Sequence, residues 1–134
     1  MSKIQTIDMF AEASSIKNRI SEFRRHIHRH PELSFQETST GRYVAEKLEE
    51  AGISCRKEVG GAGVVAEIGE GDQVFAIRVD MDGLPIKETN AVPYCSQNDG
   101  VMHACGHDAH TAMGLGAALI LKKTPPTNGR VRIV

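Results

Sequence analysis

Three of the six histidines, one of the three cysteines and an aspartate lie within the block His103-x-Cys105-x-His107-Asp108-x-His110. Side chains two residues apart point about 200° apart on a helix but to the same side of a strand. His103, Cys105 and His107 can therefore converge only where the segment is extended or tightly looped. Gly106, between the last two, permits backbone angles that other residues resist. A thiolate and imidazoles on a loop that feeds a helix suit a borderline-soft divalent metal such as zinc. Two other readings stand beside this one. Cys105 can serve as a small buried apolar residue. It can also act as a thiolate nucleophile paired with His107, although a thiol gains most at the helix start itself.

The elements that must position this block follow from the pattern around it. Asp108 has the side chain of an N-cap and a charge suited to the positive end of a helix dipole. The run from Ala109 to Lys122 is expected to be the helix it opens. Gly114 and Gly116 each cost that helix about 1 kcal/mol relative to Ala, but with Ala112, Ala117 and Ala118 they leave a smooth face that can approach a sheet closely. Upstream, Ile53 to Val59, Val64 to Ile68 and Val74 to Val79 read as strands, and their short Gly-rich links suit antiparallel neighbours. Asp80 and Asp82 emerge from the end of the third strand, where ligands of open α/β sheets gather. Two carboxylates at this spacing can ligate a metal or brace a ligand histidine; the alternative is a polar turn, encouraged by Gly83 and Pro85. Residues 87 to 102 read as a loop carrying Glu88 and Cys95. Val131 to Val134 starts a strand, so strand 74–79, helix 109–122 and strand 131–134 form a βαβ unit within a mixed sheet.

Nearer the N-terminus, residues 1–13 are of mixed polarity and are expected to fray. Ile16, Ile20, Phe23 and Ile27 make one apolar helical stripe, ended by Pro31. His28 faces away from His26 and His30 on such a helix, so all three are assigned to structure or electrostatics. The Ser34 to Glu37 spacing is that of a capping box, opening a second helix that stops at Gly52. Glu46, Lys47, Glu49 and Glu50 form its solvated face. Cys55 and Cys95 belong to no motif.

At 134 residues, 25% charged and 40% hydrophobic, the chain suits one soluble domain. A net charge of −1 without a basic block excludes nucleic acid and anionic membrane surfaces as expected partners. No apolar run approaches the roughly 18 residues of a spanning helix. Three cysteines without a disulfide pattern suit a reducing compartment, and the cytoplasm is the expected location.

The block from Gly100 to Ala112 resembles the signature of the M20 metallopeptidase superfamily. Its amidohydrolase branch is the most similar: hippurate hydrolases, N-acyl-amino-acid amidohydrolases and auxin-conjugate hydrolases. Arg24 to Ser34, Arg78 to Ile86 and Gly129 to Arg132 fit the same pattern in the same order, so the resemblance covers about residues 16 to 134; Gly83 stands where the branch commonly has alanine. The resemblance implies a mixed-sheet α/β/α catalytic domain of the zinc-exopeptidase kind, with residues 14–134 as its N-terminal part. It implies metal-dependent hydrolysis of N-acyl amino acids or related small amides, using two divalent ions, Zn²⁺ or Mn²⁺ with Co²⁺ or Ni²⁺ as alternatives, about 3.5–4 Å apart. Cys105 and His107 would be metal ligands, Asp82 a supporting catalytic residue, and Asp80 and Asp108 outer supports, with His110 a further support of no fixed role. A Gln-Pro-Ala-Glu-Glu segment carrying the general base and a further ligand would follow Val134. A lid or dimerisation domain would come later, with homo-oligomers among full-length relatives. Without them, this chain is expected to be inactive alone; a metal-binding or interaction fragment is the alternative of a different class.

Overall fold

The computed structural model describes residues 8–134. The expectation of fraying therefore falls partly outside the described residues, and the rest of that stretch is ordered differently. Asp8 Oδ1 accepts hydrogen bonds from the N–H groups of Phe10 and Ala11 at 3.0 and 3.1 Å. These cap a short helix, α1 (Met9–Ser15), that breaks at Ile16 before α2 (Lys17–Arg29) begins. Phe23 and Ile27 of the apolar stripe are buried, and Ile16 and Ile20 pack against the same core. His30 ends α2, immediately before Pro31 as expected.

The second long helix, α3 (Thr38–Glu50), starts later than the Ser34–Glu37 spacing suggests, and that capping box does not form. Leu33 is paired with Gly83, and the Gly83 N–H donates to the Glu32 carbonyl at 2.7 Å. The chain then turns through Phe35, whose φ of 66° is left-handed, before the helix can begin. Glu32 takes over the capping role. Its carboxylate accepts from the N–H groups of Ser39 and Thr40 at 3.1 and 2.8 Å. Past Glu50, Gly52 adopts φ +70° and closes the helix as its position suggested.

The sheet holds β1 (Cys55–Val59), β2 (Gly63–Glu70), β3 (Val74–Ile77) and β4 (Gly129–Ile133), in the order β1-β2-β4-β3. β1 and β2 pair antiparallel as expected. β2 and β3 do not, because β4 lies between them, antiparallel to β2 and parallel to β3. The link between β2 and β3 therefore bridges over a strand. Its glycines make room for that strand, since a Cβ on Gly69 would lie 2.6 Å from the Gly129 oxygen and one on Gly71 would lie 2.8 Å from the Gly129 nitrogen. The expected βαβ unit is present as β3, α4 (His107–Lys123) and β4.

Side chains alternate across a strand. Val64, Ala66 and Ile68 of β2 join Phe23, Leu48 and Leu115 in the core. Glu67, between them, points to the opposite face and accepts from Arg132 at 2.6 Å. α4 approaches closely where its glycines lie: a Cβ on Gly114 would meet Val79 at 3.1 Å and one on Gly116 would meet Ile20 at 2.8 Å. The whole is a mixed α/β fold, and none of its described helices is long and apolar enough to cross a membrane.

Candidate metal centre

Beyond Ile77 the backbone continues beside β4, with Val79 N–H donating to the Val134 carbonyl at 2.9 Å. It then releases Asp80, Met81 and Asp82 over the start of α4. Two α4 side chains hold this segment. The buried Thr111 hydroxyl lies 2.9 Å from the carbonyls of both Asp80 and His107, with one proton to share between them. The Asp80 N–H donates to His110 Nδ1 at 3.1 Å. Thr111 stands one helical turn after His107, and that spacing was the available signal for its role.

Held there, Asp82 meets His107. Its Oδ1 lies 2.7 Å from His107 Nδ1, and its carbonyl lies 3.1 Å from the same nitrogen. Both partners accept, so Nδ1 carries the proton of the neutral ring and Nε2 is its lone-pair nitrogen. This is how metal-ligating imidazoles are oriented and kept in the right tautomer, and on this observation the site fits a divalent metal. Gly106, at φ 87°, turns the chain into α4 directly after Cys105, whose side chain is exposed. Cys105 and His107 are the donors this turn offers. Among the described residues no group of three His, Cys, Asp or Glu is arranged to hold an ion, so His103, Cys105 and His107 do not close into a cage.

The remaining expected site residues have other engagements. Asp80 is paired with Arg78 at 2.6 Å and stands 3.9 Å from His110. Asp108 does not cap α4: the cap is Gly106, without a side-chain bond. It is turned inward instead, where Oδ2 accepts from Arg24 Nε at 3.0 Å and lies 2.8 Å from His28 Nδ1. The other ring nitrogen of His28 lies 3.0 Å from Glu88 Oε1. Glu88 also accepts from the Ser96 N–H at 2.6 Å and from Asn90. Burial raises the pKa of both carboxyls, but these hydrogen bonds outweigh it and hold Asp108 and Glu88 below the usual carboxylate range. Arg24 and His28 are four apart on α2, a spacing that puts both on one helix face. Glu88 had no local signal.

His103 is buried, and neither ring nitrogen has a hydrogen-bond partner. Burial holds its pKa below the ordinary histidine value, with His28 and His107 adding to the effect against Asp108 and Asp82. Cys55 and Cys95 are half-buried, and burial pushes the Cys55 thiol up.

Residues 76–134, from β3 through this site to β4, match the model of peptidase family M20/M25/M40. The chain belongs to the M20 peptidase family. It is 48% identical over 114 residues to a probable hydrolase, sll0100, of Synechocystis, an alignment spanning 83% of this chain and 29% of the relative. With the N-acyl-L-amino acid amidohydrolase of Geobacillus stearothermophilus it shares 46% identity over 110 residues, 81% of this chain and 30% of the relative. The M20 chain thus spans less than a third of the length of these curated relatives. Among solved structures it resembles Bacillus subtilis YXEP, a dinuclear metal binding peptidase from the M20 family, with a TM-score of 0.84 and 43% identity over 90% of this chain and 35% of that one.

Proposed function

We propose that this M20 chain supplies Cys105 and His107 to a divalent-metal centre that hydrolyses the amide of N-acyl amino acids or related small amides. The observation that carries the reading is the Asp82–His107 bond of 2.7 Å, which in the neutral ring engages Nδ1 and leaves Nε2 as the nitrogen available to a metal. Support for the substrate class comes from the amidohydrolase relative and from the 42%-identical N-acetyl-L-cysteine deacetylase of Bacillus subtilis. When bound, divalent metal polarises the carbonyl and lowers the pKa of water. The thiolate and imidazole donors suit Zn²⁺ most directly, Mn²⁺, Co²⁺ and Ni²⁺ are the alternatives once oxygen ligands complete the sphere, and a complete site takes two ions.

The chain's own contribution is positional. Asp82 orients His107, Thr111 and His110 hold the Asp80 backbone in place, and Gly106 sets the turn that presents Cys105. Asp108 acts one step further out, tying the first turn of α4 to α2. Two donors do not complete a coordination sphere, so the remaining ligands and the carboxylate base are assigned to other parts of a longer protein. Residues 14–134 are then the N-terminal part of its catalytic domain, in a cytoplasmic enzyme. Glu88 does not fill the role of base, being buried against His28. A thiol mechanism would draw on the same His107 nitrogen, Nε2, as its general base, so the two readings are separated by the metal requirement.

The test is chelation. In a full-length protein carrying this stretch, removing divalent metal should abolish hydrolysis of N-acetyl and N-benzoyl amino acids, and Mn²⁺ or Zn²⁺ should restore it. Chelator-resistant activity that is lost on alkylation of Cys105 would overturn the proposal. In the 134-residue chain, Cys105→Ser should lower retained metal and leave the thermal melt nearly unchanged, because an oxygen replaces a soft ligand at an exposed position.

A further inference from the structure

The histidines of α2 point to a second use of this surface. His28 turns inward to Asp108, while His26 and His30, four residues apart, share the outer face. Their ring centroids are 4.9 Å apart and the rings are tilted by 54°. Two imidazoles sharing one ion through bonds of about 2.0–2.1 Å would have their centres on the order of 5 Å apart. The His26 ring is already held: it stacks on Tyr43 of α3 at 3.9 Å and 14°. Side-chain hydrogen bonds of this stretch run from Arg24, His28 and Arg29, and among the described residues neither His26 nor His30 makes one. Both rings border a cavity of about 370 Å³ beside Tyr43, Thr40 and Asn98.

We infer that His26 and His30 form a two-histidine chelate for a borderline divalent cation, Cu²⁺ most strongly, outside the Cys105–His107 centre. Glu32 borders the same cavity but supplies no third ligand, since its carboxylate is committed to the N–H groups of Ser39 and Thr40. Water fills the other coordination positions. Burial, then the charges of His30, Lys47 and Arg29, hold His26 below the ordinary histidine value against the pull of Glu46, so its lone pair is free at neutral pH. The same Lys47 and Arg29 repel a dication, which restricts the site to the cations that bind imidazole best. Along the first-row series that preference peaks at Cu²⁺.

The chain has no tryptophan and two tyrosines, one of them stacked on the site, so tyrosine emission reports on it directly. The full 134-residue chain is titrated with Cu²⁺, following emission, calorimetric stoichiometry and the nitrogen couplings of the Cu²⁺ electron paramagnetic resonance spectrum. The expected result is saturable quenching with two coupled nitrogens, weakened at least tenfold in affinity by His26→Gln or His30→Gln and retained in Cys105→Ser. Tyr43→Phe should remove most of the quenching and keep the stoichiometry. Unchanged stoichiometry and quenching in the His26→Gln/His30→Gln double variant would overturn the inference. So would Cu²⁺ binding that disappears entirely in Cys105→Ser. His26 is exposed and His30 only half-buried, so these variants keep the fold, which circular dichroism checks. No readout here is amide hydrolysis, so failure of this site and failure of the amidohydrolase proposal are separate outcomes.

Discussion

Asp82 and His107 show how little of an imidazole's behaviour resides in the imidazole itself. An imidazole presents either nitrogen, and the 2.7 Å bond to Asp82 decides which one remains open. Asp82→Asn keeps the shape but replaces a carboxylate acceptor with an amide that can turn its NH₂ toward Nδ1. Outer partners of metal-ligating histidines are typically worth about 10–100-fold in affinity. The expected outcome for Asp82→Asn is a loss in that range for Zn²⁺ or Mn²⁺, with a small change in melting temperature. An affinity equal to that of the parent chain, measured by competition with a chelating dye, would remove Asp82 from the site.

At the scale of elements, the start of α4 is secured by buried polar contacts as well as by packing. His28 lies between two carboxylates, with side-chain exposures of 6% for His28, 3% for Glu88 and 1% for Asp108. One side chain thereby joins α2, α4 and the loop of residues 87 to 102. His28→Ala would leave Asp108 without its closest partner and strip Glu88 of a hydrogen bond. Leaving buried polar groups one partner short typically costs about 1–3 kcal/mol, and urea denaturation should show a loss of that order. The pH dependence has a definite sign. Both carboxyls titrate below their unfolded values, so their contribution is complete above the ordinary carboxylate range, about pH 4–4.5. It is lost as the pH falls through the lower folded values. The parent chain should lose stability steeply in that acid window and His28→Ala more gently; parallel curves for the two would show that the cluster carries no such linkage.

For the molecule as a whole, the strand order leaves β3 at an edge, with Val74 41% and Phe75 69% exposed. A short edge strand bearing an exposed aromatic side chain is a template for pairing with another copy. The 134-residue chain should therefore self-associate as its concentration rises, and Phe75→Lys should shift it toward monomer. Light scattering coupled to size-exclusion chromatography checks this; association unaffected by Phe75→Lys would place the contact elsewhere, with the exposed Phe35 the next surface to vary.

The sequence by itself determined the features that depend on neighbours along the chain. The loop-to-helix setting of the Cys105–His107 block, the stripe of α2 with its stop at Pro31, the end of α3 at Gly52 and the β3–α4–β4 unit all rest on spacing and local backbone preference. The pair Asp80 and Asp82 at the end of β3 was legible for the same reason. Tertiary structure decided what depends on residues far apart in the chain. β4 separates β2 from β3 because pairing with both of them satisfies two rows of backbone groups at once, an option invisible in a short Gly-rich link. Glu32 replaced the Ser34–Glu37 box because the Leu33–Gly83 bridge bends the chain before α3 can start. Asp108, suited by type to cap a helix, faces inward because Arg24 and His28 meet its carboxylate there, while the Gly106 carbonyl accepts from the N–H groups of Ala109 and His110. Local propensity sets which side chains can serve a role; where the chain brings them together sets which one does.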